Sequence, residues 1–246
     1  MLAWMRYVVD STLPLCLKQL MICIAIHLGF HFGYRVGELC ISNGDDSHTI
    51  WNEDVIFETN SGEFINAVDA YKYSVSVISV CLVILRSSKA NQTGGGDSQI
   101  LSRYSAGSIK LLEDLFAWAQ TQSRDPKQMF FFRATPGATK AGLGYHLRSC
   151  EVTAMIKAAA EHFEMSTDGF SSRSMRVSAA TNMNAEHLPE ADRMAVTRHK
   201  SASSHKKYVR STMQSRGALD LISTTLLTVT DIKRSIATKP IRKGKK

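Results

Sequence analysis

The sequence predicts an α+β fold: helices at both ends of the chain and a small antiparallel three-stranded sheet between them. Three observations predict it. Apolar side chains recur at helical spacing over 15–33, 105–120 and 147–164. Between the first two helices, 49–58, 64–70 and 75–86 are short runs bounded by turn residues, which suits strands. No internal repeat divides the chain, so one core is expected.

The elements follow in order. The first helix stops at Gly33, and the next carries Arg35 and Glu38 one turn apart. Asn43-Gly-Asp-Asp46 is a turn before the first strand, and the Val/Ile/Cys/Leu run within 75–86 reads as a buried strand. Residues 92–97, rich in glycine, form a second turn, with Lys89 just before it. The helix at 105–120 places Ile109, Leu112, Leu115, Phe116 and Ala119 on one face. A short apolar segment at 129–132 and a Pro-Gly loop at 135–138 precede the helix at 147–164. Asp168-Gly169 breaks the chain ahead of 173–185. Pro189 suits the first turn of a helix running to Thr197. A last helix is expected over 201–210, bearing Tyr208.

Residues 1–230 are expected to form a single domain, with 231–246 a disordered tail. From Ile232 onward that tail holds seven Lys/Arg and no acid.

The chain has 246 residues, 44% of them hydrophobic, enough to bury a substantial core. Its net charge of +8 favours a polyanionic partner. The apolar run Leu20–Phe32 is too short to cross a bilayer, so no membrane partner is expected. Five cysteines, an odd number with no Cys-x-x-Cys pair, suit a reducing compartment. The histidines outside the last basic run show no metal-ligand spacing, and no metal or cofactor is expected. Trp4, Trp51 and Trp118 are read as core residues.

The chemistry-bearing residues are concentrated near one tyrosine. Arg198-His-Lys-Ser-Ala-Ser-Ser-His-Lys-Lys-Tyr-Val-Arg210 is acid-free, and Arg173-Ser-Met-Arg176 lies upstream of it. Two well-separated arginines, a histidine, a lysine and a tyrosine are the parts that can break a phosphodiester without a metal. Arginine neutralises non-bridging oxygens through a planar, permanently charged fork. A phenol can form a covalent intermediate, and a lysine or histidine can serve the leaving oxygen or the phosphoryl group.

These residues resemble the catalytic domain of the tyrosine recombinases of the lambda-integrase type. Gly33-Tyr-Arg35-Val-Gly-Glu38-Leu39 matches the family's first box, G-x-R-x-x-E-L. Arg173-Ser-Met-Arg176-Val-Ser-Ala-Ala180-Thr181 resembles the second. His199 stands nine residues before Tyr208 and 23 after Arg176, as in the third. Ser87-Ser-Lys89-Ala-Asn-Gln-Thr-Gly-Gly-Gly96 fits the hairpin that bears the family's lysine. That phrase, with Asp54-Val at the end of the first expected strand, is further similar to mobile-element recombinases of the Crypton type.

The resemblance implies site-specific DNA recombination or integration through a 3′-phosphotyrosine. Tyr208 would be the nucleophile, and Arg35 and Arg176 the clamp on the non-bridging oxygens. Lys89 would protonate the 5′ oxygen, His199 would hydrogen-bond the phosphoryl group and Glu38 would hold Arg35. It also implies double-stranded DNA as partner, a homo-tetramer on DNA with 216–229 packing onto a neighbour, and a nuclear location in a eukaryote or a cytoplasmic one otherwise. Two departures stand out. Arg173 occupies the place of the usual histidine and cannot accept a proton. Arg173 could still bind phosphate, and His205, otherwise expected at the surface, is a candidate replacement base. Only 34 residues precede Arg35, so the family's N-terminal DNA-clamp domain is not expected within these residues. These departures motivate an alternative: a decayed or domesticated DNA-binding module. A type IB topoisomerase-like relaxer shares the active-site logic but not the spacing of the third box.

Overall fold

The computed structural model describes Leu2, Met5 and residues 17–40, 48–86, 97–103, 106–134 and 144–209. The helices are α1 (Leu17–Phe32), α2 (Val36–Leu39), α3 (Ala106–Thr121), α4 (Ser149–His162), α5 (Arg173–Ala185), α6 (Glu190–Thr197) and α7 (Ala202–Lys206). Strands β1 (Val55–Thr59), β2 (Phe64–Asn66), β3 (Ile78–Leu85) and β4 (Asp97–Ser102) form one antiparallel sheet in the order β2-β1-β3-β4. A separate hairpin joins β5 (Phe132–Ala134) and β6 (Gly144–His146).

The α+β class stands, but the sheet has four strands where three were expected. The addition is β4, paired with β3 from Leu85↔Asp97 to Val80↔Ser102. Its sequence, Asp-Ser-Gln-Ile-Leu-Ser, holds only two apolar residues. Leu101 is buried and Ile100 is exposed, so the strand is specified by its pairing rather than its own pattern.

The other strands are shorter than expected. Residues 52–54, 67–72 and 75–77 wind into 3₁₀ turns, the second burying Ala67 and Ala70 three residues apart. Asp54 therefore precedes the first strand rather than ending it. It ties the start of β1 to the end of β3: Oδ1 accepts from Arg86 Nε at 2.7 Å and Oδ2 from the Trp51 N–H at 2.9 Å.

Helix α1 is buried on all sides from Leu20 to Phe30, as expected of a helix with no polar face. It packs against α5, α3 and α4. A Cβ on Gly29 would meet Met175 Sδ at 2.6 Å, so glycine is what permits the close approach of α1 and α5. The sheet's inner face packs onto α3, with Phe57 edge-on to Phe116 at 5.0 Å. Trp118 is fully buried, and its indole N–H donates to the Phe130 carbonyl at 2.8 Å. Among the described residues no helix is long and apolar enough to cross a membrane.

Candidate active site

Four chain segments converge at the C-terminal end of α1. The helix stops at Gly33, whose φ is +62° and whose N–H still reaches the Gly29 carbonyl at 2.9 Å. A Cβ there would lie 3.1 Å from Thr197 Cγ2, so the same glycine turns the chain and admits the end of α6. Arg35 follows as the N-cap of α2, with extended backbone. Its N–H donates to Glu38 Oε2 at 2.7 Å and its Nη1 to Oε1 at 3.0 Å. The Arg35 side chain remains one-third exposed, while Glu38 is buried.

Glu38 Oε2 also accepts from Arg198 Nη2 at 2.7 Å, across 160 residues of chain. Arg198 is a residue the sequence did not single out. It ends α6 in the left-handed conformation, φ +54°, where glycine is the usual terminator. Its guanidinium lies 4.8 Å over the Tyr34 ring, and its Nη1 donates to the Phe32 and Val196 carbonyls at 3.4 and 3.2 Å.

Arg176 lies on the buried face of α5 with Ala179 and Ala180, one turn after the exposed Arg173. Its Nη1 donates to the Gly33 carbonyl at 3.0 Å, its Nη2 to the Thr197 carbonyl, and its Nε to His199 Nε2 at 3.4 Å. Burial first, then the nearby Arg35 and Arg198 charges, lower its pKa to about 10, so it remains a cation at neutral pH.

His199 is held from both ring nitrogens. Because Arg176 Nε–H can only donate, His199 Nε2 accepts, which puts the proton of the neutral ring on Nδ1. Nδ1–H then reaches Thr197 Oγ1 at 2.6 Å, and the threonine hydroxyl donates onward to the Arg193 carbonyl at 2.7 Å. Burial, together with the charges of Arg176, His205, Arg35 and Arg198, lowers the His199 pKa to about 4.

His205 is buried, against the expectation of a surface residue. Its Nδ1 faces His199 Nδ1 at 3.2 Å and Thr197 Oγ1 at 3.4 Å, and its Nε2 has no partner among the described residues. Burial lowers its pKa as well.

Tyr208 falls just beyond α7, which ends at Lys206 rather than at 210. Its N–H donates to the His205 carbonyl at 2.8 Å, and its carbonyl accepts from Thr181 Oγ1 at 3.4 Å. Its half-exposed ring lies 4.8 Å from that of His199. The guanidiniums of Arg173 and Arg176 stand 5.1 and 5.7 Å from the Tyr208 ring centroid.

Of the sequence-derived residues, Arg35, Arg173, Arg176, His199 and Tyr208 therefore share one cluster. Lys89 lies outside the described residues. The chain between the paired ends of β3 and β4, 86–96, is the connection that carries it. The reading missed Arg198 and Thr197. Their one local signal is position: they directly precede His199, with an arginine where a helix would ordinarily end on glycine. Arg35 and Arg198 share the single carboxylate of Glu38 while Arg176 bonds only neutral groups, so the cluster has positive charge to spare for an anion, with a phenol at its rim.

The fold is similar to that of solved site-specific recombinases. It matches two solved structures of the XerH site-specific recombinase, one bound to difH substrate in a pre-cleavage complex and one bound to palindromic difH substrate in a post-cleavage complex. The TM-score is 0.53 for both, with 11% and 12% identity. The matches cover 89% and 91% of this chain but only 51% and 50% of those, so this chain spans about half the length of the recombinases it resembles. No protein-family model and no curated protein matches the sequence.

Proposed function

We propose that the protein is a tyrosine recombinase that cleaves and rejoins double-stranded DNA through a 3′-phosphotyrosine. The observation that carries this is the meeting of Arg176 and His199 at the ring of Tyr208, with the Arg35 charge close to both, within a fold similar to that of site-specific recombinases. In this reading Arg35 and Arg176 take the two non-bridging oxygens of the scissile phosphate. The Tyr208 oxygen forms a bond to phosphorus as the bond to the 5′ oxygen breaks. Lys89 gives that oxygen its proton, and the phenol proton passes to water. A 5′ hydroxyl from a second strand reverses the step, so no cofactor is consumed. The catalysis is positioning and charge neutralisation by this chain's own guanidiniums.

His199 must carry a proton on Nε2 to donate to a phosphoryl oxygen. Rotation of the Thr197 hydroxyl from the Arg193 carbonyl to Nδ1 permits that tautomer. Arg173, at the edge of the Tyr208 ring, is assigned to phosphate contact rather than to proton transfer. The same substitution supports a second reading, a DNA-binding module without chemistry.

Covalent trapping on fragmented DNA of many sequences separates the two. The recombinase yields a denaturation-resistant protein–DNA band that Tyr208→Phe abolishes. Intact binding with no band in the wild type overturns the catalytic reading.

The proposal extends to the whole protein. Residues 1–230 act as the catalytic domain and 231–246 as a basic tail. The protein works as a homo-tetramer on DNA, in the nucleus of a eukaryotic host or the cytoplasm of any other; 216–229, the segment proposed to meet a neighbouring copy, lies outside the described residues. The Crypton-type mobile elements are the sub-class favoured by the Lys89 segment. Deleting 216–246 should leave cleavage intact but lower the oligomeric state on DNA, read by analytical ultracentrifugation; unchanged oligomers contradict it.

A further inference from the structure

We propose that Arg198 is a positioning residue for the phosphate clamp: acting through Glu38, it keeps the Arg35 guanidinium available to an anion. This rests on the reading of Arg35 as a phosphate-binding group. Two features of Arg198 need a cause. It occupies a left-handed backbone conformation that glycine adopts without strain, and it buries a charged side chain that is only 4% exposed. Among the described residues its one carboxylate partner is Glu38, and its Nε has no hydrogen-bond partner. Neither feature favours stability, since a buried ion pair recovers its desolvation cost only with full hydrogen bonding.

The geometry of Glu38 points to the cause. One arginine and one carboxylate close readily into a bidentate fork, which would leave Arg35 neutralised by Glu38. Here Arg198 Nη2 and the Arg35 backbone N–H both hold Oε2 at 2.7 Å, and the Arg35 guanidinium has only Oε1, at 3.0 Å. The trio of Arg35, Glu38 and Arg198 thus keeps one net positive charge beside Arg176. Arg198 also sits between Thr197 and His199, both of which bond Arg176, so fixing its side chain fixes the corner that presents them.

The test uses the duplex recovered by covalent trapping, made with either an ordinary scissile phosphate or a methylphosphonate, in which a methyl group replaces one charged oxygen. Wild type is compared with Arg198→Met, Arg198→Gly and Arg198→Lys. Glycine relieves the backbone strain and so guards against a variant that fails to fold. On the phosphate, the methionine and glycine variants should form adduct about 10- to 100-fold more slowly, less than the ~10²–10³-fold cost of removing a direct oxyanion donor. The lysine variant should recover part of that loss. On the methylphosphonate, which demands less neutralising charge, the methionine and glycine variants should run close to the wild-type rate.

An equal loss on both duplexes overturns the positioning role and leaves a structural one. No loss on the phosphate overturns it as well. If no protein, wild type included, reacts with the methylphosphonate, lysine rescue on the phosphate decides: rescue supports the role and its absence overturns it. Absence of any wild-type adduct overturns the recombinase reading itself, and this inference with it.

Discussion

His199 is a neutral ring in a buried, cation-rich place. Its folded pKa lies near 4 against an ordinary 6.5, so between those values the unfolded chain binds a proton that the folded chain does not. Its contribution to stability is complete above about pH 6.5 and is lost as the pH falls toward 4. Denaturant titrations at several pH values in that window should show His199→Gln losing less stability on acidification than wild type; parallel profiles contradict it. Thr197→Val should destabilise by about 1–3 kcal/mol, because the His199 Nδ1–H and the Arg193 carbonyl both lose their shared hydroxyl. Arg35, Arg176, His199 and Tyr208 were legible in the sequence because each falls in a box of fixed spacing. Arg198 was not. Its meaning lies in a contact with Glu38 that spans 160 residues and leaves no local pattern.

At the scale of elements, the site depends on how α1 and α6 end. Gly33→Ala should cost about 1–3 kcal/mol in chemical denaturation, since alanine is strained at φ +62° and its Cβ would press on Thr197. An unchanged midpoint would mean that α6 can shift without penalty. Helices α1, α3 and α4 were legible because their apolar spacing is long and regular. Strand β4 was not, since its polar sequence is held in place by β3. The end of α7 was also misjudged: the basic and serine-rich residues around Tyr208 carry no apolar period to mark where the helix stops.

For the whole molecule, the net charge of +8 and the acid-free run from Met194 to Arg216 suit a polyanionic partner, which the proposed function takes to be the DNA backbone. Affinity for nonspecific duplex should fall steeply and linearly on a log–log plot as salt rises from about 50 to 200 mM; a flat plot contradicts phosphate contact. The overall order of helices, sheet and helices was readable from the sequence because the hydrophobic period changes along the chain. The meeting of 33–38, 173–176 and 197–208 at one point was readable only through resemblance, because periodicity says nothing about which distant segments touch. In the proposed function this meeting makes Tyr208 a nucleophile toward phosphorus. The most direct measurement is mass spectrometry of the trapped adduct after nuclease and protease digestion. The expected product is a nucleotide attached through a 3′ phosphate to the Tyr208 peptide. A nucleotide on any other residue, or none on a protein that binds DNA, would contradict it.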